Sequence, residues 1–444
     1  MHESDLIIIG SGPGGYRAAA YAARQGMAVT IMERGEVGGT CLNRGCIPTK
    51  ALCREAEVLE TLREAGTMGI EDVTYTFNYG AAMARKDSVV STLRQGVETL
   101  LGMPGITLVR GEARLADTST VICAGEQYTA SHIIIATGSQ SKLLPVPGID
   151  LPHVMTSTSM LNATELPKRL CIIGAGVIGM EFASVYRSMG VEVTVVEFLK
   201  ECLPVLDSDV AKRLRQQLSR RGVEFFMQSG VTAITATEVV FERKGKEQRV
   251  EADRVLVATG RAPRTSGFGL EEAGVVYDRF GITVDEHYRT SVPHIYAIGD
   301  VNGRCMLAHA ATMQGLHVVN HILGRADSIN MSAVPAAIFT YPEAACVGMS
   351  EDQLKSAGEP YQVKKGFYRA NGKALAMGES EGMLKLMADA DGRIVGCHLF
   401  GAHAADLAQE VSVLMERGVT LEELGYMTHI HPTLSEIIQE AALS

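Results

Sequence analysis

Short apolar runs that end in a glycine turn recur along the 444-residue chain. Residues 6–15 read LIIIGSGPGG, residues 170–179 read LCIIGAGVIG, and a helix-type pattern follows each run. Apolar runs without polar alternation are typical of strands that are buried on both faces of a parallel sheet. The pattern therefore predicts two copies of one strand–turn–helix unit, 164 residues apart.

A second branched run follows each copy and ends in a glutamate. The run MAVTIME ends at Glu33, and the run VEVTVVE ends at Glu197. Each glutamate lies 23 residues after the first glycine of its copy, which is Gly10 or Gly174. A Gly-x-Gly-x-x-Gly turn with an acidic residue about 20 positions later predicts a dinucleotide-binding fold. Because the spacing occurs twice, we expect two such folds.

The three glycines of each copy have distinct predicted roles. The first makes the tight turn, the second lets the backbone approach a diphosphate at a helix N-terminus, and the third lets helix and strand pack closely. In chain order these positions are Gly10, Gly12 and Gly15 in the first copy, and Gly174, Gly176 and Gly179 in the second. Glu33 and Glu197 are expected to accept hydrogen bonds from a ribose hydroxyl.

The residues around Glu197 also bear on the choice of nicotinamide cofactor. A carboxylate at this position would repel a 2′-phosphate, and the next residues, Phe198 and Leu199, supply no arginine to bind one. The sequence therefore favours NAD over NADP in the second fold. Lys200 leaves NADP open as the alternative.

Three later apolar runs end in related turns. SHIIIATG ends at Gly138, DRVLVATG ends at Gly260, and HIYAIGD ends at Asp300. In open α/β sheets, ligands bind at the carboxyl ends of such strands. After about residue 330 the pattern changes to AIFTYPEAACVG, GMLKLMADADGRIVGCHLFG and a helical segment near 403–417, which together predict an α+β unit with an antiparallel sheet.

Charge and composition exclude several classes of partner. Lysine and arginine total 41 against 51 acidic residues, a net charge of −10, so no nucleic-acid or membrane-surface role is expected. No apolar run approaches the ~20 residues of a membrane span, and the first predicted strand begins at Asp5, so we expect neither a span nor a targeting peptide. Nine mostly scattered cysteines favour a reducing compartment, and we expect a cytoplasmic protein.

Only two cysteines lie close together in sequence. Residues 38–50 read GGTCLNRGCIPTK and place Cys41 five positions before Cys46. An ideal helix rises about 7.5 Å over that interval, whereas a disulfide prefers Cα atoms about 5.5 Å apart. A bridge therefore requires a distorted turn, and Gly45 lowers the conformational free-energy cost of that turn. A strained bridge of this kind is readily reduced. Cys41 is expected at a helix start, where backbone N–H groups and Lys50 favour its thiolate.

Two other interpretations of this pair are possible. The cysteines could be unrelated buried thiols, although two dinucleotide folds in one chain make a redox relay the better interpretation. A zinc site is disfavoured because no second ligand pair has suitable spacing. The other seven cysteines are expected to be small core residues.

The C-terminal segment 429–436 reads HIHPTLSE. A thiol–disulfide enzyme needs a base that works near neutral pH, and a histidine that is oriented by a carboxylate supplies it. His431 with Glu436 fits that role, but spacing alone favours a structural histidine over a catalytic one. A metal pair formed by His429 and His431 is disfavoured because no further ligand cluster accompanies it, so no metal site is predicted.

With these motifs together, the chain resembles the FAD-dependent pyridine nucleotide-disulfide oxidoreductases over essentially its whole length. The segments GGTCLNRGCIPTKAL and HIHPTLSE resemble in particular the members that oxidise dihydrolipoyl groups. The resemblance implies a homodimer with FAD in the first fold and NAD in the second, acting on dihydrolipoyl groups of lipoyl carrier proteins or domains.

The resemblance also implies a role for each site residue. Cys41 is the thiol that meets the substrate, and Cys46 is the thiol against the flavin. The partner subunit's His431 is the base, and Glu436 orients it. Lys50 and Glu181 are expected as an ion pair beside the flavin ring, and Asp300 as the carboxylate on the ribityl chain. Further cofactor contacts are expected from a set of turn and strand residues, namely Thr40, Lys50, Ala113, Gly138, Ala308, Val231 and Gly260.

The implied fold class is α/β, with two Rossmann-like domains and a C-terminal α+β dimerisation domain. The expected boundaries are an FAD-binding domain at 1–140, an NAD-binding domain at 141–262, a central domain at 263–330 that completes the FAD site, and an interface domain at 331–444.

The sequence departs from the family pattern at a few positions. In LAHAATMQG, Ala310 and Gln314 stand where lysine and glutamate are common, and Thr49 stands where serine is common. Two alternatives to dihydrolipoyl oxidation stay open: another disulfide reductase, acting on glutathione disulfide or mercuric ion, and a non-enzymatic redox-responsive flavoprotein.

Overall fold

The computed structural model describes residues 2–444. Tertiary contacts divide the chain into two compact units, each assembled from three segments. Unit 1 comprises residues 1–51, 81–142 and 260–329, and unit 2 comprises residues 52–80, 143–259 and 330–444. No helix in the described range 2–444 has the length and apolar character needed to cross a bilayer.

The chain forms 24 strands and 13 helices. The strands are β1 (His2–Ile9), β2 (Val29–Glu33), β3 (Ile106–Arg110), β4 (Ala113–Leu115), β5 (Thr120–Cys123), β6 (Glu126–Ile135), β7 (Ser139–Ser141), β8 (Val154–Thr156), β9 (Arg169–Ile173), β10 (Glu192–Val196), β11 (Glu224–Phe226), β12 (Ser229–Ile234), β13 (Glu238–Arg243), β14 (Lys246–Glu251), β15 (Arg254–Val257), β16 (Arg261–Pro263), β17 (Tyr277–Asp278), β18 (Gly281–Ile282), β19 (Ile295–Ala297), β20 (Ala336–Ile338), β21 (Ala344–Gly348), β22 (Gln362–Phe367), β23 (Met383–Ala388) and β24 (Ile394–Phe400).

The helices are α1 (Pro13–Arg24), α2 (Gly39–Arg44), α3 (Cys46–Glu64), α4 (Tyr79–Leu101), α5 (Ser157–Met160), α6 (Val177–Ser188), α7 (Ser208–Arg220), α8 (Ala308–Ile322), α9 (Glu351–Ala357), α10 (Gly372–Met377), α11 (Ala404–Glu416), α12 (Leu421–Tyr426) and α13 (Glu436–Leu443). Three 3₁₀ turns accompany them, at Ala65–Met68, Gly299–Asn302 and Tyr368–Ala370.

Unit 1 is built on a parallel sheet in the order β3-β2-β1-β6, with β19 beside β6 and the antiparallel strands β5 and β4 beyond it. Its first strand is buried throughout the apolar run Leu6–Ile9, which is at most 4% exposed. A strand that is covered on both faces needs such a continuous run. The first predicted dinucleotide fold is confirmed.

Unit 2 contains the second parallel sheet, in the order β11-β10-β9-β15-β8. A three-stranded antiparallel sheet, β12-β13-β14, follows β11 in sequence. The strand–turn–helix arrangement of β9 and α6 repeats that of β1 and α1, so the internal repeat in the sequence is a repeat of structure.

The C-terminal part of unit 2 is a five-stranded antiparallel sheet in the order β20-β21-β24-β23-β22. Helix α11 matches the helix predicted near 403–417 and packs its apolar face on this sheet. The predicted α/β class, with two Rossmann-like folds and an α+β C-terminal unit, is confirmed. The division into four domains at residues 140, 262 and 330 stays a prediction, since the contacts define two units instead.

Candidate active site

The first and third glycines of both fingerprints occupy positions where a side chain does not fit. Gly10 has φ +104°, and a Cβ there would lie 2.4 Å from the carbonyl oxygen of Ala136. A Cβ on Gly15 would lie 2.0 Å from the carbonyl oxygen of Gly10. Gly174 and Gly179 repeat both restrictions in the second copy. The first and third glycines therefore serve the tight turn and the close helix packing.

The two fingerprint helices begin in the same way. Helix α1 starts after Gly12 and helix α6 after Gly176, and within residues 2–444 no side chain caps either start. The first backbone N–H groups of a helix have no intrahelical acceptor, and together with the helix dipole they favour a bound anion. Each turn can therefore accept the diphosphate of a dinucleotide.

Glu33 is held firmly at the end of β2. Its Oε2 accepts hydrogen bonds from the backbone N–H and the hydroxyl of Ser11, at 2.9 and 2.7 Å. Its Oε1 accepts from the backbone N–H of Gly35 at 2.8 Å. The carboxylate is thus fixed beside the glycine turn, where a cofactor ribose is expected.

Glu197 repeats this arrangement in unit 2. Its Oε2 accepts from the backbone N–H of Ala175 at 2.5 Å, and its Oε1 accepts from that of Leu199 at 2.6 Å. Phe198, which lies between Glu197 and Leu199 in sequence, is 77% exposed. Two carboxylates 164 positions apart are therefore oriented by equivalent backbone groups.

Cys41 and Cys46 lie on two different helices. Helix α2 carries Cys41 in its first turn and ends at Arg44, Gly45 is its C-cap, and Cys46 opens α3. A Cβ on Gly45 would lie 2.9 Å from the carbonyl oxygen of Thr40. The distorted turn that the sequence required between the cysteines is therefore present, and glycine permits it.

The electrostatics of Cys41 differ from expectation. A hydrogen bond with Cys46 is the largest influence and, together with burial and the charge of Cys46, raises the pKa of the Cys41 thiol, while Lys50 lowers it. Lys50 acts in the predicted direction, but the hydrogen bond, burial and the charge of Cys46 outweigh it, and the sequence did not predict the net direction of this shift. The two sulfurs are close enough for one proton to be shared between them.

The seven remaining cysteines differ in burial. Within residues 2–444, none of the nine cysteines forms a disulfide. Cys53 and Cys305 are half-buried, which departs from the expectation that all seven are core residues. The fully buried ones are Cys123, Cys171, Cys202, Cys346 and Cys397.

Asp300 lies in the 3₁₀ turn Gly299–Asn302, directly after β19. The hydroxyl of Ser139 donates to its carboxylate. Nε of Arg261 donates to the same hydroxyl at 2.7 Å and lies 3.9 Å from Asp300 Oδ2. Burial lowers the pKa of this guanidinium, and the charge of Asp300 opposes that shift.

Ser139 and Arg261 were not singled out from the sequence as functional. The available signal was their position, because each directly follows an Ala-Thr-Gly turn. Their strands, β7 and β16, pair antiparallel, with Arg261 opposite Ser141 and Pro263 opposite Ser139.

The other predicted cofactor residues occupy turns and strand ends in their own units. Gly138 and Gly260 have φ of +71° and +108° and directly precede β7 and β16. In the remaining positions, Thr40 lies in α2, Ala113 begins β4, Ala308 begins α8 and Val231 lies in β12.

Lys50 and Glu181 belong to different units, so their predicted ion pair stays a prediction. Glu181 is 3% exposed in α6, and its Oε1 accepts from the backbone N–H of Phe339 at 2.9 Å. Lys50 lies in α3, one turn after Cys46.

The C-terminal histidine and glutamate are in contact. Nδ1 of His431 lies 2.9 Å from Oε1 of Glu436. The other carboxylate oxygen accepts from the backbone N–H of Thr433 at 2.8 Å. That hydrogen bond first, and His431 second, lower the pKa of Glu436. The imidazole is 81% exposed while the carboxylate is largely covered, so the second ring nitrogen of His431 faces solvent in the single chain.

His429 has a different environment from His431. Its Nδ1 lies 2.9 Å from the carbonyl oxygen of Met427, and its Nε2 lies 3.3 Å from Oε1 of Glu410. Its side chain is 9% exposed. Both ring nitrogens are occupied, which suits a structural role. Across residues 2–444, no group of three or more histidine, cysteine, aspartate or glutamate side chains is arranged to hold a metal ion.

Comparison with known proteins places this site in a class. Residues 4–315 match the family Pyridine nucleotide-disulphide oxidoreductase, and residues 334–442 match the dimerisation domain of the same family. The chain belongs to this family of flavoprotein disulfide oxidoreductases, whose enzymes use FAD and NAD(H).

Individual relatives match the sequence of this chain over nearly its full length. The chain is 40% identical to Dihydrolipoyl dehydrogenase of Chlamydia muridarum, over 100% of this chain and 97% of that protein. It is 39% identical to Dihydrolipoyl dehydrogenase of Cupriavidus necator, over 100% and 98%. A solved structure, the HOCl-induced flavoprotein disulfide reductase RclA from Escherichia coli, is similar with a TM-score of 0.89 and 30% identity over 99% of both chains. The predicted resemblance and enzyme class are confirmed.

Proposed function

We propose that this protein oxidises protein-bound dihydrolipoyl groups to the lipoyl disulfide and reduces NAD⁺ to NADH, acting as a homodimer. The observation that carries the proposal is the hydrogen-bonded Cys41–Cys46 pair across the broken helix. Full-length relatives named dihydrolipoyl dehydrogenase support it. Nine mostly scattered cysteines support a reducing, cytoplasmic location.

The first step is the removal of a proton from the substrate. The partner subunit's His431 acts as the base through its exposed ring nitrogen, and Glu436 holds the other nitrogen and balances the positive charge. The resulting substrate thiolate attacks Sγ of Cys41 in the oxidised enzyme. The Cys41–Cys46 bond breaks, a mixed disulfide forms, and Cys46 leaves as a thiolate.

The second substrate thiol then attacks its neighbour in the mixed disulfide and passes its proton to the departing Sγ of Cys41. The substrate leaves as its cyclic disulfide, oxidised by two electrons, Cys41 is released as a thiol, and the first proton stays on His431. The hydrogen bond between the two sulfurs supports this outcome, because Cys41 then carries a proton beside the Cys46 thiolate. This is the form from which electrons leave the pair.

The flavin site of the proposal lies in unit 1. The start of α1 would hold the diphosphate, Glu33 a ribose, and Asp300 the ribityl chain, and the glycine turn leaves the space this requires. FAD, when bound, passes the electron pair from the dithiol to NAD⁺. Glu197 and the start of α6 would bind NAD in preference to NADP, because the carboxylate repels a 2′-phosphate.

The test compares two cysteine variants in a steady-state assay of dihydrolipoamide with NAD⁺. Cys46→Ser is expected to abolish NADH formation, since serine cannot form the disulfide. Cys53→Ser, a substitution on the same helix, is the matched control and is expected to retain activity. Full activity of Cys46→Ser would exclude the proposed relay. The same assay with NADP⁺ tests the cofactor preference.

A second candidate is an NADH-dependent reductase of another disulfide. The similarity to the RclA structure favours it, because that protein is a flavoprotein disulfide reductase of the same fold. Assays of NADH oxidation with lipoamide, glutathione disulfide and mercuric ion separate the two candidates. We expect lipoamide to be reduced much faster than either of the others.

A further inference from the structure

Gln314 lies on α8 and is 1% exposed. Helix α8 crosses α1 closely enough that a Cβ on Gly315 would lie 3.0 Å from the carbonyl oxygen of Gly14. Gln314 is therefore carried by a helix that packs against the helix proposed to bind the flavin diphosphate. The sequence places an amide here where a glutamate is common in the family.

One oxygen of Gln314 holds both ends of the turn that contains Asp300. Its Oε1 accepts from the backbone N–H of Gly299 at 2.8 Å and from Nδ2 of Asn302 at 3.0 Å. Asn302 uses the same amide nitrogen to donate to the carbonyl oxygen of Ala297 at 3.0 Å, which ties the turn to β19. Gly299 has φ +72°, a conformation that glycine adopts readily.

Asp300 is fixed from two directions as a result. Gln314 holds the backbone N–H of Gly299 before it and the side-chain amide of Asn302 after it, and Ser139 with Arg261 holds its carboxylate. The peptide N–H that Gln314 binds belongs to the residue directly before Asp300. A change at Gln314 is therefore transmitted to the carboxylate through a single residue.

The geometry alone does not require an amide at this position. A glutamate carboxylate could accept the same two hydrogen bonds, because both partners are donors. The difference is one full negative charge in a buried site that already contains Asp300. Negative charge near a flavin disfavours the electron-rich reduced form, and burial strengthens the effect.

We propose that Gln314 is a positioning residue that fixes Asp300 for the flavin, and that its neutral amide keeps the flavin reduction potential higher than a carboxylate would. The inference rests on the flavin site of the proposed function. It assigns a purpose to a departure from the family pattern that leaves the cysteine relay intact.

The decisive experiment measures the flavin midpoint potential of the purified holoenzyme by redox titration against a reference dye. Gln314→Glu retains both accepted hydrogen bonds and adds only charge. It is expected to shift the equilibrium between oxidised and reduced flavin about tenfold toward the oxidised form, which is about 30 mV for a two-electron couple. Met313→Glu is the control, because Met313 is the adjacent residue and is 39% exposed, so solvent screens the new charge there. No shift is expected for it.

The titration is made at pH 7 and at pH 9, so that the new carboxylate is ionised in at least one condition. Equal potentials for Gln314→Glu and the unchanged protein at both pH values would overturn the electrostatic part of the proposal. An equal shift in Met313→Glu would overturn it as well, since the effect would then not depend on the buried position.

Gln314→Leu tests the positioning part. It removes the acceptor of both hydrogen bonds and is expected to weaken FAD retention about tenfold, measured from the flavin released on dilution. Retention equal to that of the unchanged protein would contradict a positioning role. If the unchanged protein bound no flavin at all, the proposed function would fail, whereas bound flavin with unaltered potentials and retention would contradict only this inference.

Discussion

Nδ1 of His431 and Oε1 of Glu436 lie 2.9 Å apart, and the second oxygen of the same carboxylate is occupied by the backbone N–H of Thr433. The carboxylate is thus fixed before any substrate arrives, and it leaves one ring nitrogen of the histidine exposed. This is the geometry of a base whose orientation and charge are set by a neighbouring acid.

Glu436→Gln is expected to lower kcat for dihydrolipoamide oxidation about 10- to 100-fold, because an amide cannot balance the charge of the protonated imidazole. NADH oxidation by an artificial electron acceptor, which needs no base, should be unchanged. Glu440→Gln, an exposed position on the same helix, is the control, and equal kcat values for the two variants would contradict the role of Glu436.

The shared proton of the cysteine pair predicts a pH effect on alkylation. Because the hydrogen bond with Cys46 raises the pKa of Cys41, Cys46→Ser should let Cys41 react with iodoacetamide at a lower pH than in the reduced wild-type enzyme. The measurement is the alkylation rate of Cys41, followed by mass spectrometry between pH 6 and pH 10. Identical rate profiles would show that the two sulfurs do not share a proton. Cys305→Ser is the control, since that thiol lies outside the pair.

The equivalent positions of Glu33 and Glu197 predict separable cofactor defects. Glu197→Gln should raise the KM for NAD⁺ about tenfold and reduce the preference for NAD⁺ over NADP⁺, because the charge that repels a 2′-phosphate is lost. Glu33→Gln should leave both quantities unchanged and instead increase flavin loss on dilution. Each variant is the control for the other. An effect of Glu33→Gln on the KM for NAD⁺ would contradict the assignment of the two folds.

The two parallel sheets, the glycine turns and their glutamates could be predicted from the sequence because each depends on local spacing. The hydrogen bonds that fix Glu197 could not be predicted in this way, because their donors, the backbone N–H groups of Ala175 and Leu199, come from two separate parts of the chain. The raised pKa of Cys41 could not be predicted, because it depends on the distance between two sulfurs across the break at Gly45. Arg261 was missed because its partners are distant in sequence. Ser139 lies 122 positions before it, and Asp300 lies 39 positions after it.

A buried ion cluster in unit 2 also escaped the sequence, because its members come from distant elements. Nζ of Lys385 on β23 lies 2.7 Å from Oδ1 of Asp207 and 2.6 Å from Oε2 of Glu351. Lys385 and Asp207 are each 1% exposed. Asp207 also caps α7, since its side chain accepts from the backbone N–H of Asp209. The lysine therefore links the second Rossmann-like fold to the C-terminal sheet within the same unit.

Lys385→Met is expected to lower the free energy of unfolding by about 3–5 kcal/mol, because it leaves Asp207 as a buried and unpaired charge. Urea denaturation measures the loss, and Lys246→Met, at an exposed strand position, should change the free energy of unfolding little.

Lys355 first, and Lys385 second, lower the pKa of Glu351 from 4.5 to about 2. A depressed pKa contributes stability above pH 4.5 that is lost as the pH falls toward 2. The difference between wild type and Lys385→Met should therefore narrow across that interval, and a constant difference would show that Lys385 does not act through this carboxylate.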